Sequence, residues 1–357
     1  MNSRIAFLVS STLVICLITT TISAFVGGNE TDYQALLQFK SMITHDPYDA
    51  LSSWNTSFHF CNWSGVSCGK QNKRVTALEL ISQGLKGRCG IPPDLGNITS
   101  MEEFTASGNP LGGSIPDTLG RWKSLTSFYL GGCNLSGTIP HSIFNLSLLT
   151  NFTLAENQLT GSLPPAIGEM LPNLERLQLR QNQLTGPLPP SLSNCSKFRI
   201  LEVNFNSFSG KLTIDFAKLK HINYLFLAEY TFGFGEADDM KFFDSLKNCS
   251  RLTLLYLDDC QFQGVLPTSI GNLSDQLSLL LLGENHFYGN LPSGIGNLVG
   301  LTLLSLRDNQ FTGKIPSTID WNIFHQVWEI AIIYWSCTLM TINSAGEYLN
   351  NLFNFHL

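Results

Sequence analysis

Charge is scarce in this chain. Charged residues make up 13% of the 357 and the formal net charge is −6. No block of lysine and arginine occurs, so the footprint that nucleic-acid binding needs is missing. Nine cysteines are too few to staple a fold of this length, although local pairs remain open. Gly233 and Gly235 lack the strand-loop-helix setting, with its Lys and Ser, that a phosphate loop requires. Asp238 and Asp239 fit a solvated bulge or helical turn better than a metal site. The histidines and serines form no triad or metal set that spacing identifies. The sequence therefore assigns no catalytic residue, no metal ligand and no cofactor.

What the chain has instead is a period. Leu301-x-x-Leu304-x-Leu306-x-x-Asn309-x-Phe311-x-Gly313-x-Ile315-Pro316-x-x-Ile319 recurs about every 24 residues back to Val75. Ten repeats begin at Val75, Met101, Leu125, Leu149, Leu174, Phe198, Ile222, Leu252, Leu277 and Leu301. The length alone could hold two compact domains, but a fixed period implies turns stacked in one dimension. The L-x-x-L-x-L part predicts a short strand with its leucines inward, one per turn, pairing as a parallel ladder. Asn109, Asn157, Asn182, Asn206, Asn285 and Asn309 stand where the strand bends away and can satisfy backbone groups there. Cys133 and Cys260 replace that Asn in two repeats, a structural use of a buried thiol. Glycine at the thirteenth position is expected to allow tight backbone contact, and the following Ile/Leu-Pro to turn the chain onto the outer face. The first repeat carries an insertion at Arg88-Cys89-Gly90. The seventh has Tyr230 in place of Asn and a long insert before Leu246.

Residues 1–24 have one early positive charge, Arg4, an apolar core from Ile5 to Ile18, then Ser and Thr ending at Ala24. That order predicts a secretory signal peptide, since the apolar run is short for a membrane span of about 20 residues. Sequons at Asn29, Asn55, Asn62, Asn97, Asn134, Asn145, Asn151, Asn194, Asn248 and Asn272 agree with export and predict a glycoprotein. Asp32 to Ile43 has Leu36, Leu37, Phe39, Lys40 and Ile43 at helical spacing, with Thr31 or Asp32 able to cap the helix and Asp46-Pro47 to end it. Cys61 and Cys68 are close enough for a local disulfide. Helix and stapled loop would cover the open apolar end of the first repeat.

The DYQALLQFK opening, the Trp54…Cys61-x-Trp63-x-Gly65-Val66-x-Cys68 phrase and the L-x-x-L-x-L-x-x-N-x-L-x-G-x-I-P repeat resemble plant leucine-rich-repeat receptor kinases. The irregular seventh repeat resembles the branch holding the rice bacterial-blight resistance receptor. The resemblance covers residues 29–319. It implies an α/β solenoid, a right-handed leucine-rich-repeat superhelix with a parallel ladder on its concave face and a helical, disulfide-stapled cap at residues 29–68. It also implies a peptide or protein ligand, a leucine-rich-repeat co-receptor kinase, and a place at the plasma membrane or in the apoplast in plant defence or development. No HRD-type loop or DFG triplet is present, so kinase activity is not carried over, and the chain reads as an ectodomain truncated before its kinase.

From Asp320 to Leu357 the repeat is abandoned. Trp321, Trp328 and Trp335 fall here, and Ile323 to Ile342 is largely apolar but interrupted by His325, Gln326 and Glu329. No Lys or Arg follows Lys314, so the usual cytoplasmic anchor charges are missing. A makeshift cap, a membrane span and a misjoined gene model stand as three readings of this tail. A ligand would meet the residues between and just after the strand leucines: Tyr129, Arg176, Gln178, Arg180, Glu202, Tyr224, Phe226, Tyr256, Asp258 and Arg307, with Glu229, Asp259, Glu284 and Asp308 beside them. A glycan on Asn151, on the fourth strand, would push a ligand toward repeats five to nine. A second function stays open: a secreted inhibitor of microbial cell-wall hydrolases, similar to plant polygalacturonase inhibitors. Those end in a cysteine-paired cap, whereas Cys337 stands alone in this tail.

Overall fold

The computed structural model describes residues 28–88, 90–229 and 240–319. The predicted leader, Cys89, the insert of the seventh repeat with Asp238 and Asp239, and the tail all lie outside them. The chain divides into two compact units, residues 1–160 and 161–357.

In the first unit, strands Val75–Glu79, Glu103–Thr105, Ser127–Tyr129 and Asn151–Thr153 pair in parallel. Ser127 lies opposite both Glu103 and Asn151, 24 residues away on either side. Alternation puts Leu78, Phe104, Phe128 and Phe152 inside, all fully buried. The rings of Phe104, Phe128 and Phe152 stack at 6.0 and 5.9 Å, and Trp122 meets two of them edge-on. Each turn then leaves through an Ile/Leu-Pro step into a short 3-10 helix such as Asp117–Arg121, with Pro116 as its N-cap.

The cap departs from the sequence reading in two places. Its helix runs from Gly28 to Met42, so Asp32 lies inside it and caps nothing. The carboxylate is fully buried and takes a bidentate pair from Arg74 at 2.8 Å plus the Val75 amide at 2.9 Å. The helix also stops before Asp46-Pro47, because Ile43–His45 is captured as a strand antiparallel to Lys86–Gly87. Cys61 and Cys68 form the expected disulfide. Trp54 stacks on Trp63 at 5.3 Å, and Val66–Cys68 closes the end of the ladder antiparallel to Val75–Glu79.

In the second unit six strands continue the same pattern in parallel: Arg176–Gln178, Ile200–Glu202, Tyr224–Phe226, Leu254–Tyr256, Leu279–Leu281 and Leu303–Ser305. Ten ladder strands thus stand in the ten predicted repeats. A second, shorter parallel ladder joins Gln263–Val265, His286–Asn290 and Gln310–Thr312. It carries a stack of Phe262, Phe287 and Phe311.

The repeat asparagines bind backbone as expected. Asn285 Nδ2 donates to the carbonyls of Leu257, Leu282 and Gly283, and its Oδ1 accepts from the amides of Cys260 and Phe262. Cys260 sits at the Asn position of the turn before, where its thiol donates to Leu227 O at 3.0 Å. Burial pushes the Cys133 thiol up to about 12. The repeat glycine has a second reason besides the expected one. Gly137, Gly186 and Gly210 take φ of 80°, 82° and 105°, while an added Cβ would meet nothing closer than 3.4 Å. At these three places the position needs left-handed backbone, whereas at Gly87, which has no left-handed φ, an added Cβ would meet Leu111 O at 2.5 Å, the close backbone approach expected.

Asp32 ties the cap helix to the first ladder strand. Asp32→Ala leaves the Val75 amide and part of the Arg74 charge without a partner, at a cost of about 3–5 kcal/mol. Urea denaturation followed by tryptophan fluorescence is expected to show the transition of Trp54 and Trp63 shifted down by that amount.

Candidate recognition surface on the ladder of the second unit

The strands of the second unit send Leu177, Leu201, Leu225, Leu255, Leu280 and Leu304 into the core, all fully buried. Their neighbours point the other way and form rows fixed by the register. One row is Arg176, Ile200, Tyr224, Leu254, Leu279 and Leu303. The next is Gln178, Glu202, Phe226, Tyr256, Leu281 and Ser305. Backbone bonds carry the ladder past the strands, from Gln181 to Asn204, Glu229 to Asp258, Asp259 to Gly283 and Glu284 to Arg307.

The rows change character along the unit. At the start they are polar: Arg180 Nε pairs with Glu202 at 3.1 Å and Gln178 Nε2 donates to the same carboxylate at 2.7 Å. In the middle they are apolar. Ala228, Leu254, Tyr256 and Leu281 form a buried cluster against which Phe226, Leu279 and Leu303 pack. Tyr224 stacks on Phe226 at 6.5 Å, and Phe226 meets Tyr256 edge-on at the same separation. Below this cluster Arg307 bridges Asp258, at 3.5 Å, and Glu284, while the Gly283 amide donates to Asp258 at 2.7 Å.

Electrostatics follow from burial. The Asp258 carboxyl is raised to about 6, first by desolvation and then by Glu284, against the pull of Gly283 and Arg307. Burial raises the Glu229 carboxyl too, with Asp259 and Glu284 adding to it.

Of the ten residues expected to meet a ligand, the structure brings Arg176, Gln178, Arg180, Glu202, Tyr224, Phe226, Tyr256, Asp258 and Arg307 onto this one ladder. Tyr129 is in the first unit. Expected exposure needs correcting for four of them: Tyr129, Glu202, Tyr256 and Asp258 are only 6–8% exposed. Strands in a sheet lie about 4.8 Å apart, so long side chains on adjoining turns cover one another. Tyr224 is the exposed member, at 38%. Glu229, Asp259, Glu284 and Asp308 have left-handed φ of 50–61° and mark where the chain turns out of the ladder.

The sequence reading missed the aliphatic part of the face. Leu254, Leu279, Leu281 and Leu303 look like core leucines in composition, and only their odd places in L-x-x-L-x-L reveal the opposite face. It also missed Asn204, fully buried with neither amide oxygen nor nitrogen hydrogen-bonded. The neighbouring Phe205 holds φ 57°, the left-handed backbone that Gln181, Glu229, Asp259, Glu284 and Asp308 take at the same place in their turns, here on a bulky side chain.

A buried carboxyl whose folded value lies above its unfolded one binds more protons when folded. Its destabilisation is therefore absent below about pH 4, grows between about 4 and 6, and is complete above. Asp258→Asn is expected to raise unfolding free energy by on the order of 2 kcal/mol at pH 7.5 and to change nothing at pH 3.5, read by denaturant titration at both. Asn204→Leu removes an unsatisfied buried amide and is expected to stabilise by about 1–3 kcal/mol; a loss of stability would show that the amide is bonded in solution.

Comparison with known proteins gives this geometry its context. The leucine rich repeat N-terminal domain matches residues 29–69, and the leucine rich repeat matches residues 124–146, 173–195, 251–273 and 300–321. A probable LRR receptor-like serine/threonine-protein kinase of Arabidopsis thaliana is 56% identical over 71 residues, 20% of this chain. The receptor kinase-like protein Xa21 of Oryza sativa subsp. japonica is 43% identical over 89 residues, 23% of this chain. These matches span only 7% and 8% of the relatives' own lengths. Among solved structures, the plant peptide hormone receptor RGFR1 in complex with RGF2 is similar at 32% identity and a TM-score of 0.63, over 69% of this chain and 38% of that one. A plant ice-binding protein is similar at 26% identity and a TM-score of 0.68, over 81% and 89%. The chain is a leucine-rich-repeat protein with a leucine-rich-repeat N-terminal domain, and its homologues are plant leucine-rich-repeat receptor kinases, matched over ectodomain sequence.

Proposed function

We propose that the chain is an extracellular recognition module that binds a peptide or protein bearing apolar side chains on the ladder face of its second unit. The observation that carries this reading is the apolar cluster on the outward rows: Tyr224, Phe226, Leu279 and Leu303 around Leu254, Tyr256 and Leu281. Leu254, Tyr256 and Leu281 are buried against one another and form a base on which Phe226, Leu279 and Leu303 stay partly accessible and Tyr224 exposed, so apolar surface is presented over four adjoining turns. Arg180–Glu202 on one side and Asp258–Arg307–Glu284 on the other give it a polar rim, the arrangement of protein recognition sites. The similarity to a peptide hormone receptor solved with its ligand supports the choice of a peptide.

Secretion belongs to the same reading. The Cys61–Cys68 disulfide suits an oxidising compartment, as do the leader and the sequons. On this reading the module works at the cell surface or in the apoplast of a plant, in immune or developmental signalling, with a leucine-rich-repeat co-receptor kinase as the second partner.

The test is a titration of the purified chain with synthetic peptides that differ only in apolar content. Peptides rich in aromatic and branched side chains are expected to bind, and charged ones not. Tyr224→Ala and Leu303→Glu are expected to weaken binding at least tenfold, about 1.4 kcal/mol, with unchanged far-ultraviolet dichroism. Undiminished binding by both variants would place the site elsewhere.

A further inference from the structure

The cap has a feature that recognition by the second unit leaves unused. Asn29 and Tyr33 lie one turn apart on the helix Gly28–Met42 and so share a face. Opposite them the loop supplies Thr56, Phe58, His59 and Phe60, and together with Glu30 these residues line a hollow of about 310 Å³. That is the small end of ligand pockets, which run roughly 300–1,000 Å³, so it suits one or two rings rather than a folded partner. The inner wall is rigid: Tyr33 packs 5.6 Å from Trp63 and 6.3 Å from Phe60, and the His59 ring stacks on Phe60 at 4.3 Å. His59 Nδ1 is fixed by accepting the Cys61 amide hydrogen. The rim is not covered, because Phe58 keeps 56% of its surface in water.

An acceptor for N-linked sugar stands in the wall of this hollow, since Asn29-Glu30-Thr31 is a sequon. We propose that the first N-acetylglucosamine of a glycan on Asn29 folds back into the hollow. Its apolar ring face lies on Phe58 and Tyr33, and its acetamido and hydroxyl groups turn toward Glu30 and Thr56. A sugar ring is amphipathic, with C–H groups on its faces and hydroxyls at its edge, which matches aromatic walls with a polar rim. A tethered ring loses no translational freedom on docking, so contacts too weak to hold a free sugar suffice. Attachment itself needs a lipid-diphosphate-linked oligosaccharide as donor. The Asn29 amide nitrogen forms a bond to C1 of the sugar and loses one proton, while the C1–O bond breaks and the lipid diphosphate leaves. The docked sugar covers Phe58 and clamps the 56–60 loop to the helix, over the Trp54–Trp63 pair that closes the first repeat.

The experiment uses the full chain secreted from a glycosylating plant cell line. Peptide mass spectrometry reads occupancy at Asn29 and, as a check on export, at Asn194. Asn29 is expected to be occupied, and release of its glycan from the folded protein by peptide-N-glycosidase to be at least tenfold slower than release at Asn194. Phe58→Ala is expected to abolish that difference and to lower the melting temperature by several degrees. In Thr31→Ala or Asn29→Gln, which lack the sugar by two routes, Phe58→Ala is expected to change the melting temperature by less than a degree. Equal release rates at the two sites, or an equal effect of Phe58→Ala with and without the glycan, would overturn the proposal. So would a bare Asn29 beside an occupied Asn194. If that bare chain bound free diacetylchitobiose, the hollow would serve an external saccharide instead.

Discussion

Asparagines at one fixed place in the repeat, Asn109, Asn157, Asn206, Asn285 and Asn309, hold their turns to the one before. Asn157 donates to the carbonyls of Leu130 and Leu154 and accepts from the amides of Cys133 and Leu135. Asn285 and Asn309 repeat the arrangement further on. The chain must bend sharply where it leaves a strand, and the bend exposes backbone groups that no sheet partner can reach. A side-chain amide has both a donor and an acceptor at the right separation, so one residue satisfies two turns at once. The leucines supply most of the apolar burial, but they would serve a helix bundle equally well. The asparagine fixes the step, and the step fixes the ladder.

Once the ladder exists, its outward rows are a consequence of register rather than of choice. Residues 24 or so apart in sequence become neighbours across the strand direction, so small differences between repeats turn into a patterned surface. Leu254, Leu279 and Leu303 form an apolar row because three repeats place leucine one residue before an inward leucine. Asp258 and Arg307 come together because a glycine at 283 leaves the space between them open. The burial of that aspartate, and the acid range into which its titration moves, belong to the assembled face and to no single turn.

The cap obeys a different logic. Its helix buries Ala35, Leu36 and Phe39, and a buried ion pair with Arg74 fixes its orientation on the first strand. The disulfide and the Trp54–Trp63 stack hold the loop that follows. One consequence is a rigid aromatic hollow beside a sequon, in a part of the molecule otherwise devoted to closing an open end.

The period, the ten strands, the capping disulfide and the role of Asn109 or Asn285 were legible in the residues, because each depends on spacing along the chain. Helix limits were less so: Asp32 and Thr31 read as caps, yet the chain enters the helix earlier because Arg74, 42 positions away, claims the carboxylate. The repeat glycines were recognised, but left-handed φ and close approach leave the same letter in the sequence, so only the structure tells Gly137, which needs the first, from Gly87, which needs the second. The surface was legible only as a row of candidates. Glu202, Tyr256 and Asp258 were found in the right row but assigned water they do not have, and the aliphatic members were absorbed into the core.

That the chain stacks as leucine-rich turns is written in its residues, because leucine, asparagine and glycine recur together at one fixed spacing. Which outward side chains are accessible, which carboxyls are perturbed and where Asn204 is stranded emerge with the assembled ladder. Those properties depend on what neighbouring turns place within a few ångströms, and that distance is not encoded by any one repeat.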